Sequence, residues 1–202
     1  MKKWLPLIVV GILIYALVKW GIGVNNTMIE MKGKADISWA NVESSYQRRN
    51  DLIGNLVKTV QGAADFEKST LTDVINARAK ATSVNINAGD LTPEKMAQFQ
   101  KAQAGLTGAL SKLLVSVERY PDLKANKNFL ELQSQLEGTE NRINVERNRF
   151  NKSAGEYNIY LKKIPYNFIA SIAGFEGMSL YESEAGAEKA PDVNFDFNKK
   201  AA

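Results

Sequence analysis

The sequence contains neither cysteine nor histidine. Without cysteine the chain has no disulfide, no thiol nucleophile and no attachment point for a lipoprotein lipid. Without histidine the usual zinc sites and histidine-based acid–base catalysis are excluded. The net charge is also small, because 26 basic and 22 acidic residues nearly balance, and the two signs are well mixed along the chain. Nucleic-acid-binding proteins usually concentrate basic residues in one patch, so we predict no nucleic-acid partner.

Helix breakers and strand patterns are rare as well. The chain has 5 prolines, and beyond residue 24 almost no segment alternates polar and apolar residues as a half-buried strand does. Apolar residues instead recur at alternating steps of three and four, which is typical of helices packed in a bundle or coiled coil. The sequence therefore predicts an all-α protein: an N-terminal transmembrane helix followed by an antiparallel up–down bundle of four long helices.

The one long apolar run lies near the start. Residues 4–18 read WLPLIVVGILIYALV without a charge, and after Lys19 the run continues as WGIGV. Such a run is long enough to cross the hydrocarbon core of a bilayer as a helix. A cleaved signal peptide is the main alternative, but the following residues, KWGIGVNN, carry no small-x-small cleavage signature. We therefore interpret residues 1–3 as a short flank and residues 4–24 as a transmembrane helix with the lipid bilayer as partner.

Four helical segments are predicted after this run. The first covers residues 25–64 with no breaker after residue 24, and the second covers residues 66–83. The third begins at Thr92-Pro93-Glu94, a capping residue followed by proline and an acidic first turn, and the fourth covers residues 125–163. The predicted inward faces are Trp39, Val42, Tyr46, Arg49, Ile53, Leu56 and Val60 in the first; Leu71, Val74, Ile75 and Ala79 in the second; Met96, Phe99, Gln103, Leu106, Leu110, Leu113, Val117 and Tyr120 in the third; and Phe129, Leu132, Leu136, Thr139, Ile143, Glu146 and Phe150, followed by Tyr157, Leu161 and Ile164, in the fourth. The bundle domain is predicted over residues 25–181, with an apolar segment at 165–181 and a disordered tail at 182–202.

Several blocks resemble the LemA family of bacterial single-span membrane proteins. They are YQRRNDLIGNLV at residues 46–57, YPDLKA at residues 120–125 and TENRI at residues 139–143. The same pattern continues with Arg147, Phe150, Asn151, Tyr157 and Asn158, and then with Pro165, Ala170, Gly174 and Phe175. The resemblance implies a helical bundle with a membrane anchor and no established reaction. Two positions depart from the pattern, since Gly54 stands where proline is usual and Phe150 where tyrosine is common.

Two polar clusters are candidates for a site. They are Arg48, Arg49, Asp51 and Asn55 on the first helix, and Glu140, Asn141, Arg142 and Arg147 on the fourth. One interpretation is a binding site for an anionic ligand. The other, which we favour, is a polar layer between helices that fixes their register, because these residues fall on or beside the packing face. Equal rise along two antiparallel helices predicts that Arg49 faces position 139, next to Glu140.

A second candidate is the apolar segment after the fourth helix. Its members are Tyr166, Phe168, Ile169, Ile172 and Phe175. The antiparallel arrangement returns this segment to the level of residue 25, where it is predicted to form a short helix against the membrane surface or the base of the anchor. The alternative is that it caps the open end of the bundle core.

The sequence offers no arranged catalytic group. Glycine-rich phosphate loops and nucleophile elbows are absent, and the carboxylates Glu43, Asp51, Glu140 and Glu146 lack the Glu-x-x-His repeats of di-metal bundles. We predict no catalytic, metal or cofactor-binding residues. The predicted function is a non-enzymatic scaffold or adaptor of the bacterial cell envelope that presents helix surfaces to other envelope proteins or to copies of itself. A ligand-binding sensor with a site near Arg49 and Glu140 is the second hypothesis, and a metal-dependent hydrolase ranks last.

The basic residues next to the apolar run predict its orientation. Lys2 and Lys3 precede it, whereas the far side has Lys19 and then no basic residue before Lys32. Because basic flanks stay in the cytoplasm, we expect a single-pass protein of the bacterial inner membrane with its bundle outside the cytoplasm.

Overall fold

One helix runs through the predicted anchor and the first bundle helix. The computed structural model describes residues 4–62, 66–84 and 86–182. Helix α1 extends from Leu5 to Gln61 without a break, and at 1.5 Å per residue it is about 85 Å long. The predicted end at residue 64 lies outside the described residues, as do residues 183–202 of the predicted tail.

Five further helices follow α1. They are α2 (Lys68–Ser83), α3 (Pro93–Val117), α4 (Pro121–Lys124), α5 (Lys127–Lys162) and α6 (Tyr166–Ala173), with a 3₁₀ turn at Ala88–Asp90 between α2 and α3. The Thr92 hydroxyl caps α3 by accepting from the Lys95 N–H at 3.3 Å. The described residues form no strand, so the predicted all-α class is confirmed. The predicted fourth helix begins two residues later than expected, because Asn126 caps α5 by accepting from two backbone N–H groups.

The helices pack as an antiparallel bundle. Helix α1 packs along α5, and α2 packs along α3 and against α1. The antiparallel direction of α1 and α5 follows from two contacts, Ser38 with Ser153 at 3.1 Å and Arg49 with Glu140 at 3.0 Å. The predicted inward face of α1 is buried throughout, from Trp39 to Val60.

The core consists of two apolar clusters. The membrane-proximal cluster includes Met28, Trp39, Phe99, Phe150 and Tyr157. The distal cluster includes Ile53, Leu56, Leu106, Leu113 and Phe129. The buried polar residues Arg49, Asn50, Gln103 and Thr139 lie between the two sets along their helices. The core is therefore interrupted at the level of Arg49.

The N-terminal third of α1 projects from the bundle. Large apolar side chains from Leu7 to Ile22 are exposed, whereas Val24 and Met28 are buried. Among the described residues, α1 is the one helix long and apolar enough to cross a membrane. This arrangement is compatible with a single-pass membrane protein.

Candidate functional site

The Arg49 side chain joins three helices at one level. Its Nη1 donates to Glu140 Oε2 of α5 at 3.0 Å and to Thr107 Oγ1 of α3 at 3.3 Å. Its Nη2 donates to Gln103 Oε1 of α3, and Gln103 Nε2 in turn donates to the Ala81 carbonyl of α2 at 3.4 Å. We call Arg49, Gln103, Thr107 and Glu140 the polar layer, and it connects α1, α2, α3 and α5.

The two charged members of the polar layer differ in exposure. The Arg49 side chain is 4% exposed, whereas that of Glu140 is 44% exposed. A buried guanidinium is stable only with partners for its charge and its N–H groups. The Tyr46 ring adds a favourable contact, since Arg49 Cζ lies 4.9 Å from its centre. The predicted contact between Arg49 and Glu140 is therefore formed, with Arg49 as the buried partner.

The other residues of the predicted polar clusters are not members of the polar layer. Arg48, Asp51, Asn55, Asn141 and Arg142 are all exposed. Arg147 is partly buried, and its guanidinium lies 4.6 Å from the centre of the Tyr181 ring.

Sequence reasoning missed Gln103 and Thr107 as members of the layer. The available signal was that Gln103 is the one polar residue on the predicted α3 face. Nothing in the pattern placed that face opposite Arg49.

A cleft of about 310 Å³ opens beside the polar layer. It is lined by Tyr46, Arg49, Lys101, Gln103, Glu140, Arg147, Tyr181 and Glu182, among others. Burial raises the pKa of the Tyr46 and Tyr181 hydroxyls, so both stay neutral near pH 7. The lining carries three cationic side chains, Arg49, Lys101 and Arg147, and two carboxylates, Glu140 and Glu182. This excess of cationic groups suits a small anion.

Acidic side chains in the described part of the chain do not converge on a common point, and no three of them could hold a metal ion. Glu146 is buried and accepts from Arg149 Nη1 at 2.8 Å. Glu140 and Glu146 thus form separate ion pairs, with Arg49 and Arg149 respectively, whereas Asp51 accepts from Gln47 on its own helix.

The C-terminal apolar segment lies against the lower part of α1. A Cβ added at Gly21 would lie 3.9 Å from Ile169 Cδ1. The Tyr166 ring lies 6.2 Å from the Trp20 ring and stacks on Tyr160 at 4.6 Å. Helix α6 is thus attached to the bundle end of the predicted anchor.

The candidate membrane-proximal residues divide by exposure. Phe168 is 63% and Ile172 is 89% exposed, whereas Tyr166, Ile169 and Phe175 are partly buried.

The chain after α6 is extended and is bound to α5 by two asparagines. Asn158 exchanges two hydrogen bonds with the Met178 backbone, each of 2.8 Å. Asn151 does the same with the Tyr181 backbone, at 3.0 and 2.8 Å. Gly174 ends α6 with a φ of 72°, which favours glycine. The side chains of Met178 and Tyr181 are consequently buried in the membrane-proximal cluster.

The apolar N-terminal helix continues directly into an all-α bundle, an architecture compatible with a single-pass membrane protein. The chain matches the LemA family over residues 38–195, and it belongs to that family. Neither this family description nor the names of the relatives below are those of enzymes.

Similar proteins include two magnetosome proteins and a LemA protein. Magnetosome protein MamQ of Magnetospirillum gryphiswaldense is 29% identical over 181 residues, which cover 80% of this chain and 66% of MamQ. Magnetosome protein MamQ 2 of Paramagnetospirillum magneticum is 26% identical over 182 residues, covering 81% and 66%. Protein LemA of Metamycoplasma hominis is 22% identical over 163 residues, covering 80% and 70%. The match therefore spans about two thirds of the length of the MamQ proteins.

Proposed function

We propose that this protein is a non-enzymatic scaffold or adaptor of the bacterial cell envelope, anchored by residues 4–24 with its bundle outside the cytoplasm. The observation that carries the proposal is the unbroken course of α1 from Leu5 to Gln61. Because α1 continues as one helix past residue 24, no loop separates the proposed anchor from the bundle, and the helix sets the distance between them. The polar layer fixes how the other helices align along this rod.

The surfaces offered to partners are the exposed apolar positions of the long helices. Ile37 on α1 is 66% exposed and Val115 on α3 is 73% exposed. They lie far apart along the bundle, which suits contacts with more than one partner protein or with further copies of the chain.

Photo-crosslinking in cells tests the scaffold proposal. A photoreactive phenylalanine analogue replaces Ile37 or Val115, and the exposed Arg48 serves as the control position on α1. We expect defined crosslinked products at Ile37 or Val115 that do not form at Arg48. If both apolar positions crosslink only as diffusely as Arg48 does, these surfaces bind no partner and the proposal fails.

A ligand sensor is the second candidate, and one observation favours it. Arg49 Nε is buried without a hydrogen-bond partner, in a side chain that lines the cleft together with Lys101 and Arg147. Native mass spectrometry of detergent-extracted protein tests this candidate. A retained anion that disappears in Arg147→Gln, but not in the exposed control Arg142→Gln, would support it, and an unliganded mass throughout would contradict it.

The non-enzymatic part of the proposal has a separate test. A metal-supplemented sample that turned over a substrate, and lost that activity on Glu140→Gln or Glu146→Gln, would contradict it.

A further inference from the structure

Three large apolar side chains near α6 point away from the bundle. Ile164, Phe168 and Ile172 are 79%, 63% and 89% exposed. They are spaced four residues apart, and within α6 this spacing puts Phe168 and Ile172 on one face. We call the three residues the α6 ridge. Exposed apolar patches of this kind mark contacts with membranes or proteins.

The level of α6 along α1 identifies the contact. The exposed, mainly apolar part of α1 covers residues 6–23 apart from the partly buried Gly21. It is about 27 Å long, close to the thickness of a bilayer's hydrocarbon core. Its upper boundary therefore lies near Val24, the first buried residue of α1. Ile169 packs at Gly21, about 4 to 5 Å below that boundary.

The surroundings of α6 have the composition of a membrane interface. The aromatic rings of Trp20 and Tyr166 lie side by side at this level. Lys162 and Lys163 end α5 just before the α6 ridge and are exposed, as is Lys19 on α1. Aromatic rings and basic side chains both favour the headgroup region, where lysine contacts lipid phosphates.

We propose that α6 is an interfacial helix whose ridge inserts among the acyl chains of the leaflet that α1 leaves. With 8 residues it is far too short to span the bilayer, so it lies in the interface and makes a second membrane contact beside the anchor. This inference rests on the proposed anchoring by residues 4–24. We assign the lipid surface as the occupant, because α6 contacts α1 at Trp20 and Gly21, within the apolar run, and leaves Phe168 and Ile172 exposed beside it.

Site-specific fluorescence on the full chain tests the inference. The sequence has no cysteine, so single substitutions can carry an environment-sensitive label without further changes. The label positions are Phe168→Cys and Ile172→Cys in the ridge, Ile12→Cys in the anchor, and Leu130→Cys as the control. Leu130 is an exposed apolar residue, 48% accessible, at the distal end of α5. The protein is reconstituted into phosphatidylglycerol–phosphatidylethanolamine vesicles that contain nitroxide lipids, with the spin label either shallow or deep in the acyl chain.

We expect the labels at 168 and 172 to emit at shorter wavelength than the label at 130. Shallow nitroxides should quench them more than deep ones do, because interfacial helices are buried only about 5–10 Å. The label at 12 should be quenched best by deep nitroxides, and the label at 130 only by a water-soluble quencher.

The outcomes separate this inference from the anchoring proposal. If position 12 is quenched by lipid while 168 and 172 respond only to the water-soluble quencher, the anchor stands and the interfacial helix is refuted. If 168 and 172 are protected from both quenchers, the ridge is covered by protein, which also refutes it. If position 12 itself is not quenched by lipid, both the anchoring and the inference fail.

Discussion

At the scale of single residues, Arg49 determines how the core is divided. It interrupts a face that is otherwise apolar from Trp39 to Val60, and it is held by Glu140, Gln103 and Thr107. An ion pair between the buried Arg49 and the partly exposed Glu140 contributes little net stability. Any alignment that leaves the buried Arg49 charge unpaired is nevertheless strongly disfavoured.

Removing Glu140 alone is therefore expected to lower the free energy of unfolding more than removing both Glu140 and Arg49. Glu140→Met leaves a guanidinium that is 4% exposed without its counter-charge, and we expect the free energy of unfolding to fall by about 3 kcal/mol. Adding Arg49→Met should recover part of this loss, because methionine fills a similar volume without charge. Chemical denaturation of the detergent-solubilised protein measures both, with Glu137→Met, an exposed position on α5, as the control. Losses that simply add in the double variant would contradict the pairing.

Asp36 provides a pH-dependent test. Burial raises the pKa of its carboxyl, although Lys32 acts to lower it, and Oδ1 has no hydrogen-bond partner. The unfolded chain gives up this proton near pH 3.9, whereas the folded chain holds it to higher pH, so folding stability falls as the pH rises through this window. Asp36→Asn should raise the melting temperature at neutral pH and leave it unchanged at about pH 3. An equal shift at both pH values would show that charge burial is not the cause.

The sequence predicts the Arg49–Glu140 contact but not the rest of the polar layer. Helical spacing and equal rise place Arg49 opposite position 139, and the observed partner is Glu140. The sequence pattern also places Arg48, Asp51 and Arg142 in the polar clusters, whereas the structure shows these side chains exposed. A pattern along one helix gives its inward face, whereas the rotation of α3 that brings Gln103 to Arg49 depends on loops with no periodic signal.

At the scale of elements, two features depend on hydrogen bonds between side chains and backbone. Because the extended segment after α6 has no periodicity, its residue pattern does not predict that it docks along α5. The family resemblance singled out Asn151 and Asn158 without a physical role, and the structure supplies one, since each amide both accepts from and donates to the backbone of that segment.

An isosteric substitution tests this role. Asn158→Asp keeps an acceptor for the Met178 N–H but presents a second oxygen to the Met178 carbonyl, which loses its donor. We expect a destabilisation of about 1–3 kcal/mol and faster proteolysis after residue 174. Asn148→Asp, at an exposed position of α5, is the matched control. Equal protease sensitivity of the two variants would rule out a role of Asn158 in docking the segment.

The second feature is the passage of α1 through Gly54, where the resemblance to the LemA family leads us to expect proline. The Asn50 carbonyl, four residues earlier, accepts from Arg78 Nε of α2 at 2.8 Å. Arg78 approaches so closely that a Cβ at Gly54 would lie 3.3 Å from its Nη2. A proline at position 54 would remove the helical N–H that donates to the Asn50 carbonyl. That carbonyl would still accept from Arg78 Nε.

Gly54→Pro should consequently be milder than proline elsewhere in α1. A proline inside a helix usually costs about 3 kcal/mol or more, and we expect that loss at Gly33→Pro, where no side chain approaches. Thermal melts of the two variants compare them directly. If Gly54→Pro is as damaging as Gly33→Pro, the Arg78 bond does not compensate for the missing N–H.

At the scale of the whole molecule, the orientation of the anchor decides where the bundle acts. Lys2 and Lys3 precede the apolar run, and basic flanks remain in the cytoplasm. Protease added to intact spheroplasts should therefore digest the bundle, while a cytoplasmic marker protein stays whole. Digestion only after the cells are broken would place the bundle in the cytoplasm.

The unbroken α1 also has a mechanical consequence. Anchors tilt when the bilayer becomes thinner than their apolar length, and a rigid rod transmits that tilt. If residues 4–24 span the bilayer as proposed, residues 24–61 extend about 57 Å beyond it, so a further tilt of about 10° would move the distal end sideways by about 10 Å. Helix α6 lies on one side of the rod only, so leaning towards that side pushes its ridge deeper into the leaflet and leaning away lifts it out. With the proposed anchoring and the proposed interfacial position of α6, the distal end of the bundle would convert bilayer thickness into lateral position, and α6 would set the direction in which it moves.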